Sequence, residues 1–120
     1  MNDTRLSKLA SRAALQSTLR QRVGAIIVTR NKFVIAGHNK LKTHPRSPSV
    51  WSIHAEVDAV IGVPRDELRG ATICVVRVTK QGLLAMSKPC SGCMGILLEC
   101  KIARIVFSGS DRLLHTEMWR

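Results

Sequence analysis

The sequence predicts an α/β fold of three layers, in which one mixed β-sheet carries helices on both of its faces. Two observations lead to this fold class. Strand-like runs alternate with segments of helical periodicity along the 120 residues, and such alternation is typical of a sheet covered by helices. Only three residues, 109–111, separate the last two predicted strands, whereas a parallel crossover needs about a dozen. We therefore expect the last two strands to be antiparallel and residues 1–120 to form a single domain.

The first predicted element is a helix over residues 3–19. Asp3 or Thr4 can act as its N-cap, because a short polar side chain accepts a hydrogen bond from the first free backbone N–H groups. Apolar residues recur at helical spacing and form one stripe. They are Leu6, Leu9, Ala10, Ala13 and Ala14. An amphipathic helix is the expected result.

A β-hairpin is predicted next, from the runs at residues 23–29 and 33–39. The short polar spacer at residues 30–32, Arg-Asn-Lys, is typical of a hairpin connection. Residues 40–53 contain two prolines and predict a loop. The loop should lead into a helix over residues 54–62 that ends at Gly62 and Pro64.

The remaining elements complete the alternation. Residues 71–78, ATICVVRV, predict a strand buried mostly on both faces. The elements after it are a loop at 79–89, a helix at 91–100, and strands at 104–108 and 112–118.

The composition bears on ligands more than on fold. Nineteen Lys and Arg residues against eight Asp and Glu give a net charge of +11. Such an excess favours phosphate-bearing or polyanionic ligands. A merely solubilising surface is the alternative explanation, and the composition does not decide between the two.

The location and the state of the thiols are also predicted from the sequence. No apolar run approaches the roughly 20 residues that span a bilayer, and charged residues stand near the N-terminus where a signal peptide has its apolar core. We therefore expect a cytoplasmic protein with no membrane partner. Reducing conditions disfavour disulfides, so Cys74 and Cys100, which lie in apolar runs, are predicted to be buried structural thiols.

Three residues are candidate ligands of one metal ion. Cys90 and Cys93 stand at i and i+3 on the opening turn of a predicted helix, and His54 opens another helix. A zinc site that does chemistry uses three protein ligands and leaves the fourth position to water. Together with Glu56 these residues form the pattern H-x-E…P-C-x-x-C, the signature of zinc deaminases. We predict one Zn²⁺ per chain, bound by His54, Cys90 and Cys93.

Glu56 is the candidate catalytic residue. It follows His54 by two positions, so the two side chains point to largely different sides of a helix and Glu56 suits proton transfer better than metal binding. We expect Glu56 to take a proton from zinc-bound water, leaving hydroxide, and to pass it to the substrate. The alternatives are the absence of metal or a closed zinc site whose fourth ligand is Cys74, Cys100 or His38.

Four motifs carry a resemblance to the cytidine and deoxycytidylate deaminase superfamily of zinc-dependent nucleobase deaminases. They are VGAIIV at 23–28, GHN at 37–39, HAE at 54–56 and SKPCSGC at 87–93, and the likeness covers nearly the whole chain. The run at 75–93 is most similar to small viral and microbial deaminases. The resemblance implies a cytidine-deaminase-like fold and a homo-oligomer.

The resemblance also implies substrate contacts. It implies that the Asn39 side chain binds the base or the ribose. It also implies that the backbone near Ala25, together with Ala55, lines the base pocket. In the approach to the first cysteine, which contains Ser87, a backbone carbonyl would receive the departing amino group.

The loop at residues 40–53 should border the substrate, because it joins Asn39 to His54. Its Lys42 and Arg46 could bind a phosphate, and Trp51 could stack on a base. An ordinary solvated loop, with Trp51 packed on the core, is the alternative.

The predicted activity is zinc-dependent hydrolysis of cytosine to uracil, by zinc-bound hydroxide with Glu56 as proton shuttle. The substrate would be a nucleoside, a nucleotide such as dCMP or CMP, or a single-stranded nucleic acid. One alternative is an adenosine-to-inosine deaminase of tRNA, although Lys88 stands where those enzymes usually have an acidic residue. The other is a non-catalytic, zinc-stabilised, basic nucleic-acid-binding module.

Overall fold

A computed structural model describes residues 2–40 and 54–118 of the chain. Within these ranges helices and strands alternate as the sequence predicts. The helices are α1 (Asp3–Ala14), α2 (Ala55–Ile61), α3 (Arg65–Leu68) and α4 (Ser91–Glu99). The strands are β1 (Arg22–Val28), β2 (Val34–His38), β3 (Thr72–Val78), β4 (Leu84–Ala85), β5 (Arg104–Ser108) and β6 (Leu114–Met118).

The strands form one mixed sheet in the order β2-β1-β3-β5-β6, with the short β4 paired to β3. Strands β3 and β5 run parallel, and the β1–β2, β1–β3, β3–β4 and β5–β6 pairs are antiparallel. The predicted hairpin at β1–β2 and the antiparallel last pair are both confirmed.

Helices cover both faces of the sheet, as predicted for a three-layer fold. Side chains that alternate along the strands divide between two clusters, because neighbouring residues of a strand point to opposite faces. On one face α1 packs on the sheet through a cluster that contains Leu6, Ala10, Ala14, Ile26, Cys74, Val76 and Val106. The cluster on the other face joins α2 and α4 to the sheet and contains Ala25, Ile27, Ala55, Ala59, Ile73, Val75, Leu97 and Ile105.

Two glycines let these helices approach the sheet closely. A Cβ atom at Gly24 would collide with the backbone carbonyl of Ala10 in α1. A Cβ atom at Gly37 would lie 2.5 Å from the backbone nitrogen of Ala59 and 2.7 Å from the carbonyl oxygen of Ala55, both in α2. Since α2 follows His54 directly, the contact at Gly37 also sets the position of the residues at the start of this helix.

Helix α1 differs from its prediction at both ends. Its N-cap is Asn2, whose Oδ1 accepts a hydrogen bond of 2.8 Å from the backbone N–H of Arg5, and neither Asp3 nor Thr4 has this role. The helix ends at Ala14 and not at residue 19. The physical reason is that the buried stripe stops at Ala14, after which Leu15 is exposed and has no core to pack on.

Two short elements were absent from the sequence prediction. Helix α3 is a single turn after Pro64 that buries Leu68, and β4 pairs its two residues with Arg77 and Val78. Both elements are too short to show a periodic pattern of apolar residues.

Cys74 and Cys100 are buried, as predicted, and no disulfide joins the four cysteines. No helix in the described ranges has the length and apolar character needed to cross a bilayer.

Candidate metal centre and active site

The three predicted ligands meet where α2 and α4 begin. His54 is the N-cap of α2, Cys90 is the N-cap of α4, and Cys93 lies in the first turn of α4. The Nδ1 atom of His54 is 3.1 Å from the Sγ atom of Cys93 and 3.9 Å from the Sγ atom of Cys90. The ligand atoms of all three residues lie within 4.8 Å of one another.

These distances fit a zinc ion. Zinc–nitrogen and zinc–sulfur bonds in a tetrahedral site place a nitrogen and a sulfur about 3.6 Å apart, and the two measured separations bracket that value. Among the described His, Cys, Asp and Glu residues, this cluster contains His54, Cys90 and Cys93 alone. Cys74, Cys100 and His38 therefore do not complete a closed site. Within the described part of the chain the cluster thus has three ligands, the number that a catalytic zinc centre uses.

The surroundings of Cys93 stabilise its neutral thiol and so oppose the thiolate form that binds a metal ion. Burial raises the pKa of the Cys93 thiol far above its ordinary value, and the nearby negative charge of Glu56 raises it further. Zinc binds the thiolate. The ion must therefore displace the proton from a thiol that otherwise remains neutral, and metal affinity should increase with pH.

Glu56 lies in the first turn of α2 and is 5% exposed. Burial raises the pKa of its carboxyl group, and the hydrogen bond to its own backbone and the charge of His54 oppose this increase. A buried carboxyl group with a raised pKa keeps its proton more readily than an exposed one. Glu56 lies at the same cavity as His54 and Cys90, and its role as a proton shuttle stays a prediction.

A cavity of about 310 Å³ opens beside the metal cluster. Six of its lining residues are ones that the sequence singled out: Asn39, His54, Ala55, Glu56, Ser87 and Cys90. The others are Gln21, Val23, Arg77, Met86 and Lys88. The cavity brings together two of the three candidate ligands, the candidate proton shuttle and three of the seven predicted substrate contacts.

The match to known families agrees with this geometry. The profile described as "Cytidine and deoxycytidylate deaminase zinc-binding region" matches residues 1–109. The chain belongs to the cytidine and deoxycytidylate deaminase family. It is therefore a hydrolytic deaminase with a zinc-binding domain, and His54, Cys90 and Cys93 are positioned to hold the ion.

Solved structures of deaminases share the fold at low sequence identity. Cytidine deaminase from Burkholderia pseudomallei is 21% identical, with a TM-score of 0.73, and the match covers 98% of this chain and 93% of that one. Cytidine deaminase from Mycobacterium leprae is 18% identical, with a TM-score of 0.65 and coverage of 97% and 93%. The dCMP deaminase of cyanophage S-TIM5, solved with dCMP and dUMP, is 17% identical, with a TM-score of 0.61 and coverage of 91% and 84%. No protein of curated function matches the sequence significantly.

Two of the predicted substrate residues of this deaminase are also held by its own backbone. The Asn39 side chain donates a hydrogen bond of 2.6 Å from Nδ2 to the carbonyl oxygen of Gln21 and accepts one of 2.9 Å at Oδ1 from the N–H of Val23. The Ser87 hydroxyl donates to the carbonyl oxygen of Val75 at 2.7 Å and lies 2.7 Å from the hydroxyl of Ser108. Both side chains fix the backbone that borders the cavity, and their contacts with substrate stay predictions.

One other predicted substrate contact, Ala25, is absent from the described lining of the cavity. Ala25 is fully buried in the core beneath α2, in register with Gly37 and Val75. Lys42, Arg46 and Trp51 lie outside the described residues. Their roles stay predictions.

Arg77 and Lys88 also line the cavity, and none of the sequence motifs predicts a substrate contact for either. Arg77 is the single charged residue of β3, a strand that is otherwise apolar except for Thr72. A charged residue inside a run of buried apolar residues is a signal that could have been noticed. Lys88 was noticed only for its departure from the tRNA deaminases, although it stands two residues before Cys90.

Proposed function

We propose that this protein is a zinc-dependent hydrolytic deaminase that converts cytosine to uracil in a nucleoside or nucleotide. The observation that carries the proposal is that Glu56 lines the same cavity as the metal ligands His54 and Cys90. A non-catalytic zinc module would have no use for a buried carboxyl group at this place, because burial of such a group is costly.

The chain's own residues account for binding and proton transfer. Zinc, when bound, supplies a polarised water that ionises near neutral pH. The Glu56 carboxylate would accept one proton of the attacking water and deliver it to the ring nitrogen of cytosine. It would then accept the second proton of that water and deliver it to the exocyclic amine, which leaves as ammonia while the C4 carbonyl of uracil forms. The backbone beside Ala55 and the segment at Ser87 form the walls against which the base would lie.

The size of the cavity favours a small substrate. Pockets for small molecules span about 300–1,000 Å³, and the volume of about 310 Å³ is at the lower end. The chain has two Phe, two Trp and no Tyr, so it offers few aromatic residues for stacking the successive bases of a single strand. A nucleoside or mononucleotide is therefore the favoured substrate. A homo-oligomer stays a prediction from the family resemblance.

The substitution Glu56→Gln tests the proposal. We expect the rate of uracil and ammonia formation from cytidine, deoxycytidine or dCMP to fall by about 100- to 10,000-fold, while the bound zinc and the melting temperature change little. The matched control is Glu99→Gln, which removes an exposed carboxylate near the C-terminal end of α4, paired only with Arg65. Equal turnover by Glu56→Gln and the control would refute the proposed role of Glu56.

The zinc-loaded wild-type protein tests the substrate class. Turnover of cytidine, deoxycytidine or dCMP, followed by mass detection of the uracil product, is the expected result. Failure with all three compounds, by a protein with full zinc, would contradict cytosine as the substrate base.

A further inference from the structure

We propose that Arg77 and Lys88 form an anion subsite at the active-site cavity and that this subsite makes a phosphorylated mononucleotide the preferred substrate. The inference rests on the proposed function, because it concerns the same cavity. Both residues line this cavity together with Glu56 and the metal ligands His54 and Cys90.

Arg77 is held in the sheet with its charged group towards the cavity. It is the last but one residue of β3, it pairs with Val23 of β1 and with Ala85 of β4, and its backbone N–H donates to the Ser108 hydroxyl at 3.3 Å. Three neighbouring strands therefore fix its backbone. A group carried on such a rigid element is well placed for specific recognition.

Among the residues that the structure describes, no acidic side chain forms an ion pair with this arginine. The ion pairs and side-chain hydrogen bonds of the described residues do not include its guanidinium group. A half-buried cation without a carboxylate partner favours the binding of an anionic ligand. The anion supplies hydrogen bonds and an opposite charge in place of the water that burial removes.

Lys88 provides the second positive charge, and β6 holds it in place. Its Nζ atom lies 2.9 Å from Oε1 of Glu117 and 5.8 Å from the centroid of the Phe107 ring. Lys88 is half-exposed, so the pair with Glu117 is a weak one that an anionic ligand can replace. The ion pairs of the described residues engage Lys88 and leave out Arg77, so the charge of Arg77 stays available to a ligand.

A phosphate monoester suits this subsite best. The planar guanidinium group binds two phosphate oxygens through parallel N–H donors, and a lysine adds a point charge. A mononucleotide places such a group within a few bonds of its base, so base and phosphate can occupy one small cavity. A neutral nucleoside would leave the cations without a counter-charge.

The test is the ratio of kcat/KM for dCMP to kcat/KM for deoxycytidine. We expect this ratio to be well above one in the wild-type protein and to fall by about 10- to 100-fold in Arg77→Gln, since hydrogen bonds between charged groups contribute that much to binding. Lys88→Gln should lower the ratio by less, about 3- to 10-fold, because Lys88 is more exposed. The control Lys8→Gln removes one charge from the exposed side of α1 and should leave the ratio unchanged.

An unchanged ratio in Arg77→Gln, or an equal loss of activity with both substrates, would overturn the proposal and assign Arg77 a structural role. Glu117→Gln provides an opposite test, because it frees Lys88 from its carboxylate. The ratio should then increase. A decrease would show that Glu117 orients Lys88 towards the ligand. It would refute the idea that Glu117 competes with the ligand for Lys88.

Calorimetric titration of the zinc-loaded protein with dCMP, deoxycytidine and inorganic phosphate separates this inference from the proposed function. Tight binding of dCMP that Arg77→Gln weakens, without turnover of any cytosine compound, would support the subsite and contradict the deaminase assignment. Turnover of deoxycytidine with no tighter binding of dCMP would contradict the subsite alone.

Discussion

Cys74 and Cys93 are buried on opposite faces of the sheet, and the groups around the two thiols differ. On the α1 face, Cys74 is fully buried in a cluster with Leu6, Ile26 and Val76. On the α2–α4 face, Cys93 is 1% exposed and lies against Val57, with its sulfur 3.1 Å from His54 Nδ1. Burial raises the pKa of both thiols. Burial alone therefore does not distinguish a structural thiol from a ligand, and the neighbouring donor atoms do.

Replacement of the two cysteines gives the largest contrast. Cys93→Ser should lose its zinc and lower turnover by more than about 100-fold, since loss of even a hydrogen-bond partner of a metal ligand costs 10- to 100-fold. Cys74→Ala should keep its zinc and lose about 1–2 kcal/mol of unfolding free energy from the small cavity it leaves. Metal analysis and thermal melts of both variants measure the effects. Full zinc content in Cys93→Ser would contradict the ligand assignment.

The two close-packing glycines extend the comparison to the backbone. Gly24→Ala and Gly37→Ala each introduce a methyl group against a helix backbone, α1 in the first case and α2 in the second. Each should lower the unfolding free energy by about 1–3 kcal/mol. Only Gly37→Ala should also lower kcat, because a displaced α2 moves both His54 and Glu56.

Urea titration and steady-state kinetics at a temperature where both glycine variants are folded separate these effects. If Gly24→Ala lowered kcat as much as Gly37→Ala, the division of the molecule into a structural face and a chemical face would be wrong.

The effect that is absent at neutral pH is the alkaline loss of stability caused by Cys74. Burial, followed by the nearby Asp3 carboxylate, raises the pKa of Cys74 to about 12, and Arg104 partly opposes the shift. The thiol is ordinarily ionised above about pH 9 in the unfolded chain. The folded protein keeps the proton longer, so its stability is complete below pH 9 and falls as the pH rises towards 12.

The slope for this one group is about 1.4 kcal/mol per pH unit. The test is to measure the unfolding free energy of wild type and of Cys74→Ala between pH 8 and pH 10.5. The difference between the two curves isolates the thiol of Cys74, because the other groups titrate alike in both proteins. Parallel curves would contradict the raised pKa.

The periodicity of apolar residues predicts some features of the helices and strands but not others. The core stripe of α1 was predictable because Leu6, Ala10, Ala13 and Ala14 recur at helical spacing, and all four are buried. Its end was not, because the sequence does not show where the neighbouring sheet stops offering a surface to pack on. The one-turn α3 and the two-residue β4 have no period to detect, and their pairing depends on distant parts of the chain.

The sequence by itself determined the chemistry of the metal centre. The residue types and spacing of His54, Glu56, Cys90 and Cys93 predict it because zinc ligands and a proton shuttle need particular donor atoms at the starts of two helices. The tertiary structure decided which residues surround the substrate cavity. Arg77 reaches it because the β1–β3–β4 register places this arginine beside Val23 and Ala85. Such a register depends on contacts between residues far apart in the chain, and no local pattern encodes it.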